Sequence, residues 1–209
     1  MSLKICEIFF SIQGESTYAG WPCVFIRMSG CNLRCRYCDT EYAYDQGSYM
    51  NLEDILSKIE KYNCKLVEIT GGEPLLQKDT PILISQLISA GYKVLVETNG
   101  SRDISVVNTA AVNIMDIKCP SSGEADSFDH ENIRRLRDHD EVKFVIGNRE
   151  DYGYAVEMLN RYKIMLNGKT IHFAAVADSL IPKRLSEWIL EDRLNVRLNL
   201  QLHKLIEMR

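Results

Sequence analysis

Cys31, Cys35 and Cys38 lie in the run GCNLRCRYCDT with spacing C-x3-C-x2-C, and no fourth cysteine stands nearby. Thiolates are soft ligands that suit zinc and iron–sulfur clusters. Structural zinc sites and electron-transfer clusters usually fill four positions with protein side chains. Three thiolates around a four-iron cluster leave one iron open to a small molecule. The spacing therefore points to catalysis at a cluster. A zinc site would need a distant fourth ligand, and His130, His139, His172 and His203 are all remote from the loop in sequence.

Short apolar runs must position this loop. Strands are expected at Ile5–Phe10, Cys23–Ser29, Leu66–Thr70, Lys93–Glu97, Asn113–Ile117, Val142–Ile146, Ile171–Val176 and Val196–Leu200. Helices are expected at Leu52–Tyr62, Pro81–Ala90, Glu131–Arg137, Asp151–Arg161 and Lys183–Glu191, the first with Asn51 as N-cap. Strand–helix alternation implies an α/β fold with a parallel sheet and right-handed crossovers. A full eight-fold barrel needs ~250 residues. With 209 residues, the chain fits one domain, 1–209, built as a partial (β/α)6-type barrel with minimal elaboration. Chemistry in such folds gathers at the C-terminal strand ends. The cysteine loop, Gly71-Gly72-Glu73-Pro74, Thr98-Asn99-Gly100 and Lys118-Cys119-Pro120 all follow expected strands.

The net charge of −4 offers no basic surface for nucleic acid. No apolar run approaches the roughly 18 residues of a membrane span. Gln13 and Glu15 interrupt the N-terminal stretch where a secretion signal would stay apolar. A cytoplasmic location is expected. There, cysteines serve metal binding or catalysis more than disulfides. Cys6, Cys23, Cys64 and Cys119 read as small buried hydrophobes, Cys119 less securely because it ends a strand near the other site candidates.

CNLRCRYC resembles the signature of the radical S-adenosylmethionine (SAM) enzymes, and Gly71–Pro74 resembles that family's GGEP motif. The resemblance implies a 4Fe–4S cluster on Cys31, Cys35 and Cys38, with SAM on the open iron. One electron then cleaves SAM to methionine and a 5′-deoxyadenosyl radical. The radical SAM core is the fold it implies. Tyr37 would lie near the adenine. Gly72, Glu73, Asn99 and Cys38-Asp39 would contact SAM, as would Lys118, Cys119, Pro120 and Ser121. Read alone, Gly-Gly-Glu-Pro is a turn and Tyr37 a packed aromatic.

FFSIQGE, then GWPCVFIRMSGCNLRCRYCDT, is similar to the 7-carboxy-7-deazaguanine synthases of queuosine and 7-deazapurine biosynthesis. The similarity recurs at Thr70–Pro74, Val96–Gly100 and Gln201–Lys204. It implies ring contraction of 6-carboxy-5,6,7,8-tetrahydropterin with loss of ammonia. Mg2+ would sit at Thr40, whose alternative reading is a loop-capping hydroxyl. Ile12, Gln13, Gly14, Glu15, Arg27, Thr70 and His203 would bind the pterin: Gln13 and Glu15 its guanidine-like edge, Arg27 and His203 its carboxylate. Glu97 and His203 would stand nearest the reaction. In the residues alone, Arg27 and Glu97 also fit solvated strand positions, and His203 a surface residue. A flavodoxin-type or reductase electron donor and a homodimer are further implications.

Three positions depart from the family pattern. Ser16 replaces a glycine after QGE. Phe173–Val176 lacks polar residues, which removes SAM contacts expected there. Leu205–Arg209 lacks the usual terminal aromatic or proline. A glycyl-radical-enzyme activase and a non-catalytic Fe–S or zinc module are the competing readings.

Overall fold

The computed structural model describes residues 1–208; Arg209, the end of the atypical C-terminal run, lies outside the described residues. Its nine strands form one sheet. The parallel part runs β2 (Pro22–Met28), β4 (Leu66–Gly71), β5 (Lys93–Thr98), β6 (Val112–Ile117), β7 (Glu141–Ile146), β8 (Thr170–Ala175) and β9 (Arg197–Asn199). β1 (Ser2–Ile12) pairs antiparallel with β2, and β3 (Ser48–Asn51) with β1. The sheet ends at β3 and β9 without closing, as expected of a partial barrel.

Side-chain alternation divides the strands into two faces. Val24, Ile26, Met28, Val67, Ile69, Val94 and Val96 pack outward with α1 (Leu52–Glu60) and α2 (Thr80–Ser89), through Ile55, Ile59, Leu83 and Leu87. Met115, Ile117, Phe144, Ile146 and Phe173 form the matching core. Tyr152 and Met158 of α4 (Arg149–Arg161) and Leu185 and Ile189 of α6 (Pro182–Glu191) meet them there. Each such side chain contributes about 1.5–3 kcal/mol when buried. Asn51 caps α1 as expected, accepting from the Asp54 amide at 2.8 Å.

The alternate residues face inward. A small apolar plug of Cys23, Phe25, Leu66, Leu95, Val112 and Ile114 fills one end. Beyond it the inward row turns polar: Arg27, Glu68, Thr70, Glu97, Asp116 and Lys143. This change of character within single strands creates the site.

The sequence expectations differ from the structure at short elements. β3, α3 (Asn132–Arg135), α5 (Lys163–Leu166) and α7 (Leu202–Leu205) are brief. Of these only α3 falls within an expected helix, and it is shorter. β9 keeps three residues of the five expected. Cys23 and Cys119 are buried as expected, but Cys6 and Cys64 are only half-buried. Ser16 sits in the left-handed region at φ +64°, where glycine is the residue with least steric cost. Its hydroxyl accepts from the Tyr18 amide at 3.2 Å, a local bond that supports the turn.

Candidate active site

The cysteine loop leaves β2 through Gly30, in a positive-φ conformation. Backbone bonds anchor it on three sides. Gly30 donates to the Ala43 carbonyl at 2.8 Å, Glu73 donates to the Gly30 carbonyl at 2.8 Å, and Arg36 donates to the Ser122 carbonyl at 3.0 Å. Gly72 lies directly against the loop: a Cβ there would overlap the Gly30 carbonyl oxygen and fall 2.9 Å from Cys31 Cβ. Both neighbours are rigid, so Gly72→Ala should push the loop outward. Reconstituted Gly72→Ala protein is expected to retain well under half of the wild-type iron, measured by iron and sulfide analysis.

Cys31, Cys35 and Cys38 line one cavity of about 750 Å3 with Tyr37, Gly72, Asn99 and Lys118. Burial pushes the Cys31 thiol up, and that of Cys35 to about 11. The free Cys31 and Cys35 thiols are therefore protonated at neutral pH, and metal binding there would release those protons. Among the described residues, no three His, Cys, Asp or Glu side chains converge as ligands of one ion. A four-iron cluster asks for a different arrangement, one thiolate for each of three irons. Cys31 Sγ also accepts from the Leu33 amide at 3.4 Å, a bond that favours a thiolate. Asp116 Oδ1 is buried without a partner among the described residues, and Asp116 lines the same cavity. It is an acceptor available to a ligand that donates. The loop, the missing Cβ of Gly72 and this open acceptor fit a bound cluster and SAM.

Several expected SAM contacts lie elsewhere. Glu73 is fully buried, accepting from Thr98 Oγ1 at 2.8 Å, the Asn99 amide at 2.7 Å and the Leu75 amide at 3.0 Å. Its carboxylate ties the Gly71–Pro74 turn to the end of β5. Cys119 is packed in the core behind the sheet. Ser121 donates from its amide to Asp151 Oδ1 at 2.8 Å and from its hydroxyl to Oδ2. Neither Pro120 nor these three lines the cavity. Val176 does reach it, with Asp178 just beyond, so the apolar β8 end contributes to the wall after all.

The pterin-side candidates share this cavity: Ile12, Gln13, Gly14, Glu15, Arg27, Thr70, Glu97 and His203. Gln13, Gly14 and Glu15 reach it on a strap, residues 13–17, that runs from Glu68 of β4 to Glu141 of β7. Gln13 Nε2 donates to Glu68, and its Oε1 accepts from the Glu15 amide at 3.0 Å. The Glu15 carboxylate accepts from Lys143 Nζ at 3.0 Å, Asn199 Nδ2 at 3.1 Å and Gln201 Nε2 at 3.0 Å. Thr17 binds Glu141 at the foot of β7. The strap is thus held on the protein side, so Gln13 and Glu15 have less freedom toward a ligand than their residue types alone suggest. A Cβ on Gly14 would overlap the His203 imidazole, while the Gly14 carbonyl accepts from the Leu202 amide at 2.9 Å.

Burial alone would raise the Glu15 carboxyl, but the Lys143 charge and the Gln201 amide outweigh it and hold the pKa at about 2. The ordinary value is 4.5. A depressed carboxyl stabilises the folded arrangement fully above the ordinary value and loses that contribution as pH falls through the depressed one. Protection of the Leu202 amide in the apoprotein, corrected for the intrinsic pH dependence of exchange, should stay constant down to about pH 4.5 and fall toward about pH 2.

Arg27 is largely buried and faces the cavity, which excludes the solvated-strand reading; its Nε donates to Glu7 at 2.8 Å. The rest of the guanidinium carries further donors. Glu97, also on the wall, takes bonds from Lys143 and from Thr70 Oγ1, the latter at 3.3 Å. Asn99 Nδ2 donates to Asn32 at 3.3 Å and approaches Cys31 Sγ at 4.0 Å. Tyr37 donates to the Val145 carbonyl at 3.2 Å. Thr40 donates to Asp39 Oδ1 at 2.9 Å, as its loop-capping reading anticipates, and also lines the cavity. Asp39 accepts from Lys204 at 2.8 Å. Burial lowers the His203 pKa, so its imidazole is neutral at pH 7.

Sequence reasoning overlooked Lys143 and Glu68. Both are charged residues inside otherwise apolar strands, in EVKFVI and LVEIT, and both point inward. Burial, with Glu97 nearby, pushes the Glu68 carboxyl well up.

Residues 25–117 match the Radical SAM superfamily. A 7-carboxy-7-deazaguanine synthase of Koribacter versatilis (strain Ellin345) is 43% identical over 218 residues, 98% of this chain and 96% of the relative. The chain belongs to the 7-carboxy-7-deazaguanine synthase family. The synthase of Chlorobaculum tepidum is 43% identical over 208 residues, 98% of this chain and 94% of the relative. The crystal structure of QueE from Escherichia coli superposes with a TM-score of 0.77 at 22% identity, covering 96% of this chain and 95% of that one. The chain is therefore a radical SAM enzyme, a lyase, and its superfamily uses a 4Fe–4S cluster and SAM. The activase and non-catalytic module readings give way to this match. No helix among the described residues is long and apolar enough to cross a membrane.

Proposed function

We propose that this synthase converts 6-carboxy-5,6,7,8-tetrahydropterin to 7-carboxy-7-deazaguanine and ammonia, with Mg2+ bound at Thr40. One observation carries the reading: the cysteine loop, Thr40, Arg27 and His203 line the same cavity. Cys31, Cys35, Cys38 and the Gly72 backbone would hold the cluster and SAM, which when bound would supply the radical chemistry for hydrogen abstraction at the pterin C6. The protein's part is to bind, orient and exclude water. Arg27, His203 and Lys204 provide donors for the pterin carboxylate, and Arg27 can do so with charge-assisted bonds. Glu97 and the Gln13–Glu15 strap line the region that receives the guanidine-like edge. Asn99 and Lys118 face SAM. Thr40 would offer a hard hydroxyl oxygen to Mg2+, a type of ligand that suits that cation, and substrate oxygens would be further ligands of the same type.

The whole chain, 1–209, acts as one radical-SAM domain in this reading. It works in the cytoplasm as a homodimer, reduced by a flavodoxin-type donor, in the queuosine or 7-deazapurine pathway, without itself binding nucleic acid or membrane.

Anaerobic turnover tests the proposal. Reconstituted protein with SAM, reductant, Mg2+ and carboxytetrahydropterin should yield carboxydeazaguanine by mass spectrometry. SAM cleavage without that product would sink the substrate assignment. Thr40→Ala should raise the Mg2+ concentration needed for half-maximal turnover by about tenfold, the loss expected for a metal-site contact. An unchanged Mg2+ response would remove Thr40 from the metal site.

A further inference from the structure

Lys143 occupies an unusual position. Its side chain is only 6% exposed, and its ammonium meets carboxylates from three separate segments. Glu15 of the strap lies at 3.0 Å, Glu97 at the end of β5 is in direct contact, and Asp116 of β6 lies at 3.4 Å. A buried cation is costly unless paired and hydrogen-bonded. A lysine ammonium has three donors, and these three oxygens can satisfy all of them. Asp116 is shared with Lys118 at 3.0 Å.

The three carboxylates serve different parts of the site. Glu97 stands on the cavity wall beside Thr70. Asp116 leaves its second oxygen without a partner on the SAM side. Glu15 holds Asn199 and Gln201, and so anchors the C-terminal segment that carries His203. The Leu202 amide bond to the Gly14 carbonyl closes the same junction. One ammonium thus links the wall of the pterin region, the SAM side and the C-terminal closure.

We propose that Lys143 is a positioning residue, which sets Glu97 for reaction and couples that setting to closure of the C-terminal segment through Glu15 and Gln201. The proposal deepens the pterin reading and rests on it. Lys143 acts through the carboxylates. Without it, Glu15 and Glu97 share a low-dielectric site beside Glu68, while only Asp116 keeps a cation, Lys118. Glu15 and Glu97 then repel or take up a proton, and either outcome loses the Lys143 bond that sets Glu97. Misplacement of about 1 Å at a reacting geometry can cost about 100-fold in rate.

The test uses reconstituted holoenzyme. Lys143→Met should lower kcat about 100-fold while the KM for the pterin rises far less and SAM affinity is nearly unchanged. Lys143→Arg should recover part of kcat, since its guanidinium restores the charge. Gln201→Ala should cost much in the wild-type background and little in Lys143→Met, because both act through Glu15. Amide exchange at Leu202 should quicken in Lys143→Met even without substrate. Retention of wild-type kcat, or effects of the two variants that multiply to within about twofold, would overturn the proposal.

Should Lys143→Met fail to fold, Lys143→Met combined with Glu97→Gln removes one anion with the cation. Relative to Glu97→Gln alone, that double variant should lose only the closure share, far less than about 100-fold; the full 100-fold loss on top of Glu97→Gln refutes the link to Glu97. If the wild type cleaves SAM yet makes no carboxydeazaguanine, the functional reading fails by itself. Leu202 exchange then still decides whether Lys143 controls closure.

Discussion

Cys31→Ala, Cys35→Ala and Cys38→Ala should each give a folded chain that keeps no stable cluster and cleaves no SAM. The reason lies in the division of labour around the loop. Its shape is held by backbone bonds from Gly30 to Ala43, from Glu73 to Gly30 and from Arg36 to Ser122, and by the Asn32 amide on Ser101 Oγ at 2.9 Å. None of these uses a thiol. The three cysteines are only half-buried, so truncating one removes little packing. Apoprotein stability should change by less than about 1 kcal/mol, within the range of substitutions away from cores and networks.

The metal is affected quite differently. On the proposed assignment, three thiolates would hold three irons and leave no spare ligand. Removing one would expose a second iron to solvent and oxidation. Iron and sulfide content, and the visible thiolate-to-iron absorption, should fall to background. Cys23→Ala and Cys119→Ala form the control. Both side chains are fully buried and neither lines the cavity, so they should lose stability while keeping iron. Full iron retention in any of the three loop variants would refute the ligand set.

The place of the cysteine loop was legible because its residues are local. Three cysteines within eight positions must share one turn, and strand signals on either side place that turn at a strand end. The Asn51 cap was legible for the same reason, since its acceptor and donor are three residues apart. The Glu15 network was not. Its partners lie 128, 184 and 186 positions away, and only the register of β7, β8 and β9 brings them together. Lys143 carried a usable signal all the same: a lysine in the middle of EVKFVI, on the face opposite Val142, Phe144 and Ile146. A charged residue in a strand between helix-covered neighbours must face the barrel interior or leave a charge unpaired. Glu68 in LVEIT carries the same signal. Glu73 failed in the other direction. The Gly71–Pro74 turn was placed correctly, but burial of the carboxylate depends on Thr98 and Asn99 from the next strand.

Glu73→Ala should be among the most destabilising single substitutions in the chain, and Glu73→Gln should fall between it and the wild type. The carboxylate accepts from two backbone amides, Leu75 and Asn99, and from the Thr98 hydroxyl, with no exposure to water. Deleting it strands those donors, each at about 1–3 kcal/mol. The sum is on the order of 3–9 kcal/mol before relaxation, a large share of the 5–15 kcal/mol typical of a domain. Glutamine replaces one acceptor oxygen with an amino group. If its oxygen takes the Asn99 amide, the amino group meets Thr98, whose hydroxyl can turn to accept. The Leu75 amide then loses its partner, so about half the loss is expected. Urea unfolding of the apoproteins measures both. A direct SAM contact by Glu73 predicts another pattern: Glu73→Gln would keep full stability and lose SAM affinity alone. With the carboxylate sealed behind the turn, stability and SAM affinity should instead fall together, because the displaced Gly71–Gly72 backbone is the surface SAM would meet.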